Sequence, residues 1–162
     1  MPEPAEILAY LENVRAETLR RLEGLTQEQL DWLPPASPSD NSETGWSLGE
    51  IFMHLAIDEH YLREQIARPL LEGVPPPAGV SFLPPPYGTP KEVIRHWLER
   101  ARVMTRRLLG TWPPEANLAL QHHGGLALMN GAEWLMGYGG HAAFHHRQID
   151  ALVAQLPEGA PA

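Results

Sequence analysis

Apolar side chains recur at helical spacing in four segments of the chain, and clusters of proline separate them. The first segment runs from about Glu3 to Leu25. Its stripe repeats near every 3.6 residues, which predicts an amphipathic helix, and consists of Ile7, Leu11, Val14, Thr18, Leu22 and Leu25. Because proline breaks a helix interior, the clusters mark where helices stop. These clusters are Pro34, Pro35 and Pro38, then Pro75–Pro77, Pro84–Pro86, and Pro113 with Pro114.

The second segment opens at Ser47, where Glu50 stands three residues later as the acid of a capping box. Its stripe consists of Leu48, Ile51, Leu55, Asp58 or Glu59, Leu62 and Ile66. Pro69 is expected to end this helix. A loop of about twenty residues rich in proline and glycine follows. Loops of that length are often functional, and the alternative is a stiff surface connection.

The third and fourth segments carry similar start signals. The third opens at Thr89, with Pro90 at the first helical position and Glu92 as the capping acid. Its expected core stripe consists of Val93, Trp97, Ala101, Met104 and Leu108, before Gly110. The fourth opens near Asn130, and its stripe consists of Leu135, Ala142, Ile149, Val153 and Leu156. Glycines at 137, 139 and 140 in this helix indicate close packing or a kink.

Four helices and no alternating strand pattern predict an all-α fold. We expect a four-helix bundle with long loops between the helices, so that long crossover connections are an option. A chain of 162 residues and 18.0 kDa has the size of one domain. We therefore predict a single domain over residues 1–156 and a frayed tail over 157–162.

Charge and composition exclude several classes of function. Twelve basic and 20 acidic residues give a net charge of −8, which argues against nucleic acid or an anionic membrane surface as a partner. The absence of cysteine excludes disulfides, iron–sulfur clusters, Cys-ligated zinc and a cysteine nucleophile from this chain. No apolar run reaches the roughly 18 residues of a membrane span, and the first residues lack signal-peptide features. A cytoplasmic location is the expectation.

Three of the eight histidines stand where they could share a metal ion. His141 and His145 are four residues apart, so a helix points them the same way, about 40° apart around its axis. Both flank the apolar stripe of the fourth helix, and His54 flanks that of the second. They could converge inside the bundle, where such proteins build metal sites. The alternative is three separately satisfied core histidines.

A site of three imidazoles leaves a divalent ion with open positions for water or substrate, which is the arrangement of a reactive site. Zinc, nickel or another late first-row ion suits such ligands. Asp58 is a candidate hydrogen-bond partner or fourth ligand, and the alternative is an exposed acid. Aromatic residues that could wall a pocket, or else simply pack, are Tyr61, Trp134 and Tyr138. The histidines expected at the surface or in a solvated loop are His60, His96, His122 and His123.

Short motifs around these histidines resemble the DinB-like (DinB/YfiT-like) metalloenzyme superfamily. The order is similar: one histidine in the second helix and a His-x-x-x-His pair in the fourth. The carrying residues are Gly45–Ile51 leading to His54-Leu55, His123-Gly124-Gly125, and Glu133-Trp134-Leu135 leading to His141 and His145-x-x-Gln148-Ile149. The likeness extends from Gly45 to Leu156. The chain departs from it in lacking the glycine often found before Gln148.

The resemblance implies a four-helix bundle that binds a divalent ion through His54, His141 and His145. It also implies thiol-dependent transferase or isomerase chemistry, in which a low-molecular-weight thiol binds the metal as thiolate, and it implies a homodimer. Because this chain has no cysteine, the thiol must come from a cofactor or substrate.

Three classes of function therefore stay open. The first is a metal-dependent enzyme acting on a small molecule, with a thiol-dependent S-transferase ahead of a hydrolase that activates water. The second is a non-catalytic metal-binding or small-ligand-binding protein of a stress response. The third is a bundle whose histidines are structural. No side chain stands out as a general base, so the sequence names no catalytic or cofactor-binding residue beyond the metal ligands.

Overall fold

Four long helices dominate the computed structural model, which describes residues 3–35, 45–77, 83–112, 116–123 and 127–157. These helices are α1 (Pro4–Glu23), α3 (Leu48–Tyr61), α5 (Lys91–Gly110) and α6 (Gly131–Val153). The predicted all-α fold is confirmed. Tail residues 158–162 lie outside the described part, and the division into one domain and a tail stays a prediction.

The long helices form a ring in which α1 packs against α5 and α6, and α3 packs against the same two helices. Helices that follow one another along the chain are therefore not always neighbours. Within this ring, α1 lies opposite α3, and α5 lies opposite α6.

Side-chain caps fix the starts of the two helices that carry the candidate site. At α3, Ser47 Oγ accepts from the Glu50 amide at 3.2 Å, and Glu50 Oε2 accepts from the Ser47 amide at 2.8 Å. Asn130 and Glu133 make the same reciprocal pair at α6. The capping boxes at the starts of α3 and α6 are thus present, and they satisfy backbone amides that a helix leaves without a partner.

The predicted start of α5 was one residue early and its capping box is not formed. Pro90 is the residue before the helix and offers no side-chain cap. The Thr89 hydroxyl instead donates to the Pro86 carbonyl at 3.1 Å. The Lys91 amide donates to Gln27 Oε1 at 2.8 Å, so a side chain distant in sequence caps the helix.

The prediction that Pro69 ends the second helix was wrong. After α3 the chain continues through a π-helical stretch (Leu62–Ala67) into a last turn, α4 (Arg68–Leu71). Pro69 is the second residue of α4 and directly follows the π-helical stretch. The π-helical stretch also places the fully buried Arg63 against α5, where its guanidinium donates to the Ala101 carbonyl at 2.8 Å.

Two small elements were not predicted. The one-turn helix α2 (Gln27–Asp31) starts with a capping box of Thr26 and Gln29, a signal that is visible in the sequence. Strands β1 (His122–His123) and β2 (Leu128–Met129) pair antiparallel. They are too short for an alternating pattern to show. Gly124 and Gly125 between them lie outside the described residues.

The core face of α5 only partly matches the predicted stripe, of which Ala101 and Leu108 are buried. Val93 and Trp97 are 40% and 48% exposed, whereas Ile94 and Leu98 are fully buried. The helix carries two apolar ridges one residue apart, and spacing alone does not say which one faces inward. Trp97 instead lines a cavity of about 420 Å³ between α3 and α5.

One of the three glycines in the middle of α6 is explained by close packing, as predicted. A Cβ at Gly139 would overlap the ring of Tyr10 on α1, whereas Gly140 has no atom within 4 Å of that position. The glycine therefore lets α1 and α6 approach closely. No helix among the described residues has the length and apolarity to cross a membrane.

Candidate metal centre

The three predicted histidines meet between α3 and α6. One nitrogen of each of His54, His141 and His145 lies within 4.8 Å of the others. The Nε2 atoms of His54 and His141 are 3.1 Å apart. The ring of His145 lies 4.8 Å from that of His54 and 4.5 Å from that of His141, measured between centroids. The structure therefore brings together residues that are distant in sequence into a group that could hold a metal ion.

The packing of α3 against α6 explains this convergence. His54 lies on the α3 face that also buries Ile51 and Leu55. On α6 the spacing of four residues keeps His141 and His145 on one side, next to the buried Ala142. The apolar residues of both helices seal the bundle around the histidines, so the imidazoles approach one another instead of turning to solvent.

Solvent reaches the cluster from the side of His141. The side chains of His54 and Asp58 are 7% and 4% exposed, whereas that of His141 is 34% exposed. His145 is fully buried. A site with one open side can exchange small ligands with solvent while most of its donors stay fixed.

The environment keeps His54 in the form that binds metals. The pKa of His54 is lowered to about 4, chiefly by burial; the charge of Asp58 opposes this shift, and the neighbouring His145 and His141 add to it. The imidazole is therefore neutral at pH 7 and has a lone pair available for an ion.

Gln148 orients His145. Its Oε1 accepts a hydrogen bond from His145 Nδ1 at 2.7 Å, which directs the tautomer so that Nε2 carries the lone pair. Histidine ligands of metals commonly donate their second ring nitrogen to such a partner. Gln148 belongs to the motif that resembles the family, but the motif alone does not predict this role.

Asp58 belongs to the cluster, and the alternative that it is an exposed acid was wrong. The residue is 3% exposed. Its Oδ2 lies 3.1 Å from His54 Nε2 and 2.7 Å from His141 Nε2. Its Oδ1 is buried and has no hydrogen-bond partner among the described residues.

The aromatic residues around the cluster only partly match the predictions. Tyr138 does not line a pocket, because its buried hydroxyl donates to the Leu55 carbonyl at 3.0 Å and accepts from Arg15 at 3.0 Å. Two rings that the sequence did not single out for a pocket pack against the cluster: Trp46, 4.9 Å from His54, and Phe144, 5.4 Å from His145. Tyr61 and Trp134 are half-buried.

A buried ionic network below the site was not predicted. Glu59, the residue after Asp58, accepts hydrogen bonds from Arg15 on α1 and from Arg102 on α5. Burial alone would raise the pKa of Glu59, but the two guanidinium groups lower it to about 2. The one available signal was the position of Arg15, four residues after Leu11 on the apolar stripe of α1. The network joins α3 to α1 and α5 at the level of the histidines.

The remaining histidines lie away from the cluster. His60, His96 and His123 are exposed and His122 is half-buried, broadly as expected. His146, for which the sequence predicted no role, is buried against α1, and its Nε2 lies 2.8 Å from Thr18 Oγ1. Burial lowers its pKa to about 4. Because the Thr18 hydroxyl provides a hydrogen-bond partner for its Nε2, we interpret His146 as a residue of the packing between α1 and α6.

The donor set suits a divalent first-row transition metal. Three imidazole nitrogens and a carboxylate oxygen are the ligand types that zinc, nickel and similar ions accept in proteins. Two of these nitrogens already stand 3.1 Å apart, as neighbouring ligands of one ion do. The residues present therefore fit the metal that the family resemblance implies.

Comparison with known proteins identifies the family of the chain. A model of the DinB superfamily matches residues 2–149, which is about nine-tenths of the chain. No curated protein and no solved structure was found to match it. The family match confirms the resemblance carried by the histidine motifs. The chain belongs to the DinB superfamily.

Proposed function

We propose that the chain is a metal-dependent enzyme that holds one divalent ion, zinc or nickel, through His54, His141 and His145. Its reaction is the transfer of a low-molecular-weight thiol to a small electrophilic molecule. The observation that carries the proposal is the convergence of three imidazoles within 4.8 Å of one another, in a site that is open to solvent on one side.

The ion supplies one chemical property: it lowers the pKa of a bound thiol, so that a thiolate is present at neutral pH. The transfer then forms a sulfur–carbon bond. The leaving group departs with its bonding electrons, and the thiol proton passes to solvent. The chain itself contributes no thiol, since it has no cysteine.

The residues around the site set the protonation state and orientation of the ligands and the access of small molecules. His54 stays neutral because of its burial, and Gln148 holds His145 in one tautomer and orientation. The partly exposed side of His141 is the route by which thiol and substrate enter. Trp46 and Phe144 pack against the rings of the cluster and provide apolar surface.

A homodimer and a cytoplasmic location complete the proposal. The dimer follows from the family resemblance. The location follows from the acidic composition and from the need for a pool of small thiols. Size-exclusion chromatography with light scattering tests the dimer directly.

The thiol transfer is tested by loading metal-free protein with zinc or nickel and following loss of free thiol in the presence of small electrophiles. We expect consumption of thiol by the wild type, none by His141→Ala, and wild-type rates for His96→Ala, whose histidine is exposed on α5. Hydrolysis of a substrate in the absence of thiol would show that the protein is a hydrolase and not a transferase. Metal binding without any turnover would favour a binding protein.

A further inference from the structure

We infer that Asp58 is a fourth ligand of the ion, so that the site is a centre of three histidines and one carboxylate. This inference rests on the proposed function and adds to it a residue outside the histidine triad. The sequence left open whether Asp58 orients a histidine or binds the ion. The ring nitrogens that it contacts decide between the two.

A partner that orients a histidine ligand contacts the ring nitrogen that points away from the ion. Gln148 does this, since it contacts Nδ1 of His145. Asp58 does the opposite, because its Oδ2 contacts Nε2 of His54 and Nε2 of His141. Those two nitrogens face each other at 3.1 Å. The carboxylate therefore lies on the side where the nitrogens converge, which is the side of the ion.

The distances are short enough for one ion to bind all three atoms. The three edges between His54 Nε2, His141 Nε2 and Asp58 Oδ2 are 3.1, 3.1 and 2.7 Å. Neighbouring ligands at about 2.1 Å from an ion are about 3.0 Å apart in an octahedron and about 3.4 Å apart in a tetrahedron. The carboxylate oxygen and the two nitrogens are thus spaced as ligands of one ion are.

The charge balance of the buried carboxylates points the same way. Glu59 is paired with both Arg15 and Arg102. Asp58 is as deeply buried, yet no arginine or lysine of the described ranges pairs with it, and its Oδ1 has no hydrogen-bond partner there. Burying a carboxylate without compensation is costly. A divalent ion bound to Asp58 supplies the missing positive charge.

A fourth protein ligand limits the geometry that a reactive site can use. Four ligands fill a tetrahedral ion, as in structural zinc sites. On an ion that accepts six ligands, the same four would leave two positions, enough for a thiol and one atom of a substrate. The inference therefore favours an ion that accepts six ligands, such as nickel, over zinc held in a tetrahedron.

A cysteine placed at position 58 tests the inference by spectroscopy. The variant Asp58→Cys carries the only thiol of the chain, and its thiolate can bind cobalt(II) only if position 58 is within bonding distance. We expect a thiolate-to-cobalt charge-transfer band in the near ultraviolet for Asp58→Cys and none for the control Ile57→Cys. Absence of the band in a folded, cobalt-loaded Asp58→Cys protein would overturn the inference.

A second variant keeps the test decisive if Asp58→Cys does not fold. We expect Asp58→Asn to bind cobalt at least about 10-fold more weakly than the wild type in competition with a chelator, and Asp150→Asn, at an exposed site, to bind it unchanged. Unchanged affinity and an unchanged cobalt spectrum in Asp58→Asn would also overturn the inference. If the wild type binds no cobalt, the proposed function itself fails. If the wild type binds cobalt and Asp58→Asn binds it equally well with the same spectrum, the metal site stands and only the role of Asp58 as fourth ligand is wrong.

Discussion

At the scale of single residues, neighbours rather than residue type separate the site from the rest of the core. Burial lowers the pKa of both His54 and His146 to about 4. His146 nevertheless contacts Thr18 on α1, whereas His54 contacts His141 and Asp58. Of these two histidines, only His54 lies among further groups that could bind a metal, so only His54 is a candidate ligand.

Replacing Gln148 is predicted to weaken metal binding without unfolding the chain. Gln148→Ala removes the acceptor of His145 Nδ1, so the imidazole loses its fixed orientation. We expect affinity for zinc to fall about 10- to 100-fold, measured by competition with a chromogenic chelator. Gln155→Ala, which loses only a bond to the Ala151 carbonyl, serves as the control. Equal affinities would contradict the orienting role.

The buried network predicts how stability depends on pH. The pKa of Glu59 is about 2 in the folded chain, against an ordinary value of 4.5. A lowered folded-state pKa contributes stability that is complete above the unfolded value and is lost as pH falls from about 5 towards 2. We expect Glu59→Gln to cost about 3–5 kcal/mol at pH 7, because it leaves two guanidinium groups buried without a counter-charge.

Denaturant unfolding at pH 7 and at pH 3 measures this effect. The decrease in the free energy of unfolding caused by Glu59→Gln should be smaller at pH 3, because the wild type has by then lost part of the stability that ionised Glu59 contributes. Glu17→Gln, which alters only the pairs that the exposed Glu17 makes with Arg20 and Arg21, should change stability little at either pH. A loss of the same size at both pH values would show that packing and not charge is responsible.

At the scale of elements, local sequence signals predict where a helix begins better than they predict which of its faces is buried. The capping boxes at Ser47 and Asn130 need only a few neighbouring residues, and both are present. The core face of α5 depends on which ridge meets α1 and α3, which is information that the helix does not contain. Trp97 was therefore expected in the core and is 48% exposed.

Two glycines on α6 predict opposite effects of the same substitution. A Cβ at Gly139 overlaps the Tyr10 ring, while the position at Gly140 is open. Gly139→Ala should destabilise the protein by about 1–3 kcal/mol through overpacking. Gly140→Ala should stabilise it by up to about 1 kcal/mol, because alanine favours the helix. Thermal unfolding compares the two, and equal shifts would contradict the close approach of α1 and α6.

At the scale of the whole molecule, the site depends on how distant helices meet. His54 and His141 are 87 residues apart, and the ring order places α3 beside α6. The helical wheel predicted that each histidine borders the core. Their meeting could be anticipated from the family resemblance, but the contact of Asp58 with both Nε2 atoms could not, since the sequence leaves Asp58 and Glu59 equivalent on the stripe.

Metal binding is predicted to stabilise the bundle without being required for it. The core is built from apolar contacts and the ion pairs of Glu59, and neither includes the three histidines of the candidate metal site. We expect chelator to lower the melting temperature while the helical signal persists. Zinc at 100 times its dissociation constant should restore about 2.7 kcal/mol. The variant His141→Ala should show neither shift; complete unfolding by chelator would instead indicate a structural ion.

The most direct test of the metal centre is the metal content per chain of untagged wild-type protein and of His54→Ala, determined by elemental analysis. We predict about one zinc or nickel ion per chain in the wild type and almost none in the variant, with both proteins folded. Wild-type protein that holds no stoichiometric metal, even after divalent ions are added, would contradict the proposal and leave the histidines as packing residues of the bundle.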